Sequence, residues 1–174
     1  MRGGLGIAAT ALAAGVVLAA TPVSARSVAP KGSCKLLTVK EVGDVLGTPA
    51  GAGKQKTRTG ATETQDQCVW AAKKKGTGGI KGQPLKLELV VESGGGIVDD
   101  YQTARSSDPS EVDQVSGIGD DAFIKDLELH VLVGERVVST ALHNYRYPRP
   151  LTQEQIQQKD EEAARLAIGR LQPT

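Results

Sequence analysis

Cys34-Lys35-Leu36-Leu37-Thr38-Val39-Lys40-Glu41-Val42, answered further on by Gln67-Cys68-Val69-Trp70-Ala71, is the stretch whose reading decides the fold. The Thr38 side chain is placed to accept from the backbone N–H of Glu41, while Glu41 reaches back to the N–H of Thr38. This is a capping box, with Leu37 against Val42 as its hydrophobic staple. Val39, Val42, Val45 and Leu46 recur on one side at helical spacing. Gly47, with Pro49 just beyond, supplies the stop. So short a helix is marginal alone and must be held by packing. Cys68 and Trp70 lie two apart, so a strand points both to one face. If that face meets the helix, Cys68 reaches Cys34 and closes a loop of about 35 residues. The alternative is a pair of unpaired buried thiols.

Outward from this stretch, the N-terminus reads as an export signal. A basic Met1-Arg2 start precedes an apolar run from Leu5 to Ala20, and Val23-Ser24-Ala25 offers the small residues that precede a cleavage site. The run is shorter than the roughly 20 residues a membrane helix needs. The expectation is therefore a signal peptide over 1–25, a leader over 26–33 and one exported domain over 34–172, with no membrane span after processing. Lys31 and the distance from the apolar run argue against lipidation at Cys34. An oxidising compartment is also where a disulfide persists.

The residues quoted above, together with Leu46-Gly47, Val115-Ser116-Gly117-Ile118-Gly119-Asp120-Asp121-Ala122 and an alanine-rich final helix, resemble a large actinobacterial group of small secreted or lipid-anchored envelope proteins of unknown function. The resemblance implies a small envelope domain and no defined activity. Members often carry a lipidated N-terminal cysteine and a second cysteine pair; this chain has neither.

Alternation of Leu85, Leu87, Leu89 and Val91 with polar neighbours predicts a strand over Pro84 to Glu92, antiparallel to the Cys–Trp strand across a basic tip. Ile97, Val98, Tyr101 and Ala104 predict a second helix. Pro49 to Gln65 has little periodicity, enough for an irregular strand and a turn. Asp126 to Tyr145 reads as a hairpin around Gly134-Glu135. Its register sets Val133 opposite Arg136, Val131 opposite Val138, Leu129 opposite Thr140 and Leu127 opposite Leu142. Leu151-Thr152-Gln153-Glu154-Gln155-Ile156 repeats the capping box, and Ile156, Ala163, Ala164, Ala167, Ile168 and Leu171 form the stripe of the last helix. The expected architecture is α+β, a single domain with an antiparallel sheet of about five to six strands and three helices mainly on one face.

Chemistry is sparse. Gly94-Gly95-Gly96 lacks phosphate-loop spacing, and Asp99 and Asp100 would repel an anion there. In the hairpin register His130 and His143 lie on the outer face of different strands, with Ser139 opposite His130 and Asp126 opposite His143, too far apart for a zinc set. Asp120, Asp121, Asp126 and Glu128 form an acidic run without an EF-hand pattern. The expectation is no catalytic residue, no metal and no cofactor.

Charge is uneven along the chain. From Lys31 to Lys86 there are 11 Lys/Arg against 4 Asp/Glu; from Asp99 to Glu135 there are 10 acids against 2 bases. That pattern suits a two-sided solvated surface or a dipolar molecule docking on a charged partner. Two segments suit binding: the basic loop Lys73-Lys74-Lys75, and Tyr145, Arg146, Tyr147 and Arg149, where basic and aromatic residues interleave. The reading is a non-catalytic exported binding or envelope module, a monomer whose partner is a protein or an anionic envelope polymer rather than nucleic acid. Alternatives are a secreted inhibitor of an extracellular enzyme, inserting the basic loop, and a weak hydrolase using the acidic run.

Overall fold

The computed structural model describes residues 32–73, 83–143 and 151–171. The signal-peptide reading, Lys74, Lys75, Tyr145, Arg146, Tyr147 and Arg149 lie outside the described residues.

A single 3-10 turn at Ser33–Lys35 leads into α1, Val39–Leu46. The capping box forms as read: Glu41 N–H donates to Thr38 Oγ1 at 3.3 Å and Thr38 N–H donates to Glu41 Oε2 at 2.7 Å. Gly47 closes the helix at φ 69°, a left-handed conformation that costs glycine little. Val42, Val45 and Leu46 are buried as the spacing requires, but Val39, in the first turn, is 43% exposed.

Seven strands follow among the described residues, one or two more than expected. They are β1 Lys54–Thr59, β2 Glu63–Ala71, β3 Lys86–Gly94, β4 Asp113–Val115, β5 Asp121–Lys125, β6 Glu128–Val133 and β7 Arg136–His143. Helix α2, Ile97–Ser106, separates β3 from β4, and α3, Gln153–Leu171, closes the described chain. The order across the sheet is β1-β2-β3-β7-β6-β5-β4, antiparallel throughout. The surplus has a plain cause. β1 is an edge strand exposed at every residue, so it carries no alternation, and β4 is three residues long.

The β6–β7 register holds from Val133↔Arg136 through Val131↔Val138 to Leu129↔Thr140. It stops at Glu128↔Ala141, so Leu127 does not face Leu142. Asp126 and Leu127 instead take φ 53° and 64° and form the two-residue turn between β5 and β6. Two left-handed residues in a row suit the right-handed twist of a hairpin.

Strand parity divides the sheet into two faces. On one, Cys68, Trp70, Leu87, Leu89, Val91, Val131, Val138 and Leu142 share the main core with Val42 and Val45 of α1 and with Ile156, Ala163 and Ala167 of α3. Residues of the opposite parity, Phe123 and Val137, form a smaller cluster with Ile97 and Tyr101 of α2. Cys34 and Cys68 are joined in a disulfide, their Cα atoms 5.0 Å apart, and Trp70 lies 1% exposed in the same cluster. Arg170 of α3 bonds Glu41 and the Leu36 carbonyl, and Lys159 bonds the Val45 carbonyl, so α3 holds the start and end of α1.

Candidate functional site

The strand order turns an asymmetry along the chain into one across space. β1, from the basic part, is one edge of the sheet; β4 and β5, from the acidic part, are the other. Six inter-strand spacings separate the edges by about 29 Å. Salt screens charge over about 8 Å at physiological ionic strength, so a partner at one edge scarcely senses the other.

On β1 the pairing Lys54↔Val69, Lys56↔Gln67 and Arg58↔Gln65 puts three cations on one face, opposite in parity to Cys68 and Asp66. The other face of β1 is tied down. Asp66, 3% exposed, accepts from Gln55 Nε2 at 3.0 Å, Thr57 Oγ1 at 2.8 Å and Ser33 N–H at 2.6 Å. One buried carboxylate therefore fixes the edge strand and the turn that carries Cys34. Of the basic loop only Lys73 is described. It is exposed at the end of the hairpin stem, its N–H donating to the Pro49 carbonyl at 2.8 Å, and it borders a surface concavity with Val39, Gly43, Gly47 and Pro49.

Both histidines lie on the face shared with α2. His143 is not opposite Asp126, which sits in the β5–β6 turn; its Nε2 pairs with Glu88 Oε2 at 2.7 Å, one strand over on β3. Gln67 Nε2 donates to the second oxygen of Glu88 at 2.6 Å. The bond to His143 holds the Glu88 carboxyl below the usual range, and the same bond raises His143. Glu128, flanking them across Ala141, is raised by burial and then by Glu88.

His130 does meet Ser139, Nδ1 to Oγ 2.9 Å, but not on an open face. The Phe123 ring stacks 5.0 Å from the imidazole, with Tyr101 of α2 behind it, and burial pushes His130 down to about 4. Ser139 is 4% exposed, so this serine–histidine contact is a packed structural one.

The acidic run is not one site. Asp121 and Glu128 pair with Leu132 and Lys125 respectively, at opposite ends of the β5–β6 ladder, about 14 Å apart along the strands. Asp120 accepts the Gly134 N–H at 2.6 Å, and Asp121 pairs with Arg105 at 2.9 Å. Among the described residues no group of three or more His, Cys, Asp or Glu is placed to hold a metal ion, and no helix is long and apolar enough to cross a membrane.

One group escaped the sequence reading. Asp160 of α3 faces the sheet, 1% exposed, with Oδ1 lacking a hydrogen-bond partner. It lines a cavity of about 10 Å³ with Ile124, Leu127, Leu129, Gln153, Ile156 and Gln157. Burial pushes its carboxyl up to about 8, Glu128 adds to the rise, and a bond from the Leu142 backbone opposes it. The signal was present, since Asp160 stands four residues after Ile156 and four before Ala164, inside the apolar stripe.

No protein-family model, curated protein or solved structure matches the chain.

Proposed function

We propose that the chain is an exported, non-catalytic binding module of the cell envelope, one that engages an anionic partner through its basic edge. The observation that carries this reading is the strand order, which segregates Lys54, Lys56 and Arg58 from the acids of β4 and β5 across the width of the sheet. Asp120, Asp121, Ser139 and His130, the groups a hydrolase would draw on, each have a structural partner. Lys73 extends the basic side, Lys74 and Lys75 continue it in sequence, and Tyr145, Arg146, Tyr147 and Arg149 add contacts in a second segment. A resident of the envelope meets anionic polymers and charged protein surfaces, and an uneven charge distribution speeds such encounters.

Binding of the purified chain to a cell-wall preparation, followed against salt, tests the proposal. Retention that falls steeply with salt is expected. Retention unchanged when Lys54, Lys56, Arg58 and Lys73 are all replaced by glutamate overturns it. The inhibitor alternative predicts instead that protease or glycosidase panels show inhibition lost with the basic loop.

A further inference from the structure

The basic edge carries a second feature besides its charge. β1 is paired only with β2, and among the described residues its outer backbone edge has no hydrogen-bond partner. An unpaired strand edge is a template for another strand, with main-chain bonds giving affinity and alternate side chains giving specificity. Lys54, Lys56 and Arg58 repeat every second residue, about 6.8 Å apart. None of the three is in an ion pair among the described residues. Of the carboxylates on that face, Glu63 lies on β2 just beyond the Arg58 end of the ladder, while Glu88 and Glu92 stand two strands inward and are held by His143, Gln67 and Gln65. Asp66 pins Gln55 and Thr57 from the other face, so the template is ordered before anything arrives.

We infer that β1 receives an extended acidic segment of a partner protein as an eighth strand, with carboxylates at alternate positions facing Lys54, Lys56 and Arg58. This rests on the anionic-partner reading and names the partner's chemistry. A second copy of the chain does not fit. Antiparallel pairing of β1 with itself about a two-fold axis normal to the sheet places both rows of cations on one face, where like charges opposed across strands are destabilising.

The test uses the isotope-labelled full chain and four probes. They are the capped peptide Thr-Glu-Val-Glu-Thr-Glu, an isomer with its three glutamates adjacent, the first peptide N-methylated at alternate amides in each of the two registers, and sodium polyphosphate. The expected result is amide shifts centred on Lys54–Thr59, with at least tenfold slower hydrogen exchange at outward-facing β1 amides. The alternating peptide should bind at least tenfold tighter than its isomer, one N-methyl register should abolish binding and the other leave it intact, and K54E/K56E/R58E should remove it. Equal binding of isomer, polyphosphate and both N-methylated forms overturns strand addition while leaving the anionic-partner reading standing. Shifts centred away from β1, or a dimer joined through β1 on sedimentation, overturn strand addition as well. No binding by any probe, together with salt-insensitive wall retention, overturns both.

Discussion

Replacing Asp160 by asparagine should stabilise the protein near neutral pH, which is unusual for a change at a buried, hydrogen-bonded position. The carboxyl titrates at about 8 in the fold against 3.8 for the ordinary group, because burial penalises the charged form and Glu128 opposes it. The folded-state value is raised, so the stability linked to Asp160 is fully present below pH 3.8 and is lost as pH rises through about 8. Each pH unit in that window removes about 1.4 kcal/mol, so by about pH 7.5 the deficit is on the order of 5 kcal/mol. That is a large share of the roughly 5–15 kcal/mol of a typical domain. Asparagine keeps the shape and still accepts the Leu142 N–H but has no proton to lose. Urea unfolding of both proteins from about pH 4 to pH 9 reads the effect directly. The wild type should weaken with rising pH relative to Asp160→Asn, and the curves should converge at the acid end, with Glu128 titrating in both. Parallel curves, or a variant less stable at pH 7.5, would refute the assignment of a buried neutral carboxyl.

Other consequences are simpler to check. Replacing both Cys34 and Cys68 by serine should cost about 4 kcal/mol in denaturant unfolding, the chain-entropy value for a loop of this length. In an NMR titration the two histidines should part in opposite directions. His143 should titrate above 6.5, so its pairing with Glu88 supports the fold below that pH and is lost as pH rises through its raised value; His130 should titrate at about 4, resisting charge until the acid limb. Gly53→Ala should be strongly destabilising by thermal unfolding, because an added Cβ would lie 2.5 Å from Cys68 Sγ and 2.6 Å from Trp70 Nε1. Thr152→Ala removes the cap of α3, where Gln155 N–H donates to Thr152 Oγ1 at 3.2 Å, and should cost about 1 kcal/mol.

The elements legible in the sequence are those whose cause is local. Thr38 with Glu41 and Thr152 with Gln155 announce helices from within four residues, and the β6–β7 register follows from a glycine turn and a clean alternation. The disulfide was reachable because Cys68 and Trp70 share a strand face. β1 was legible only as an irregular strand somewhere in Pro49 to Gln65, because both its faces meet water or polar partners and leave no period to detect. The Asp126-Leu127 turn has no glycine to mark it, and His130 was misplaced because α2, remote in sequence, covers what the hairpin alone leaves open. Asp160 was passed over because an acid inside an apolar stripe shows its burial only once α3 packs on the sheet. The basic edge required the strand order, which no local pattern contains.

That order also bears on how the molecule assembles. Every pairing in the sheet joins strands adjacent in sequence except one, β3 with β7, where residues some 50 positions apart must meet. β1-β2-β3 and β4-β5-β6-β7 are each meanders able to form from nearby contacts, and folding is complete only when they dock along that seam. Closing so long a loop before its contacts repay it sets the pace. Changes at Leu89 or Val138, on the seam, should therefore slow folding, whereas equal losses at the outer strands should show chiefly as faster unfolding.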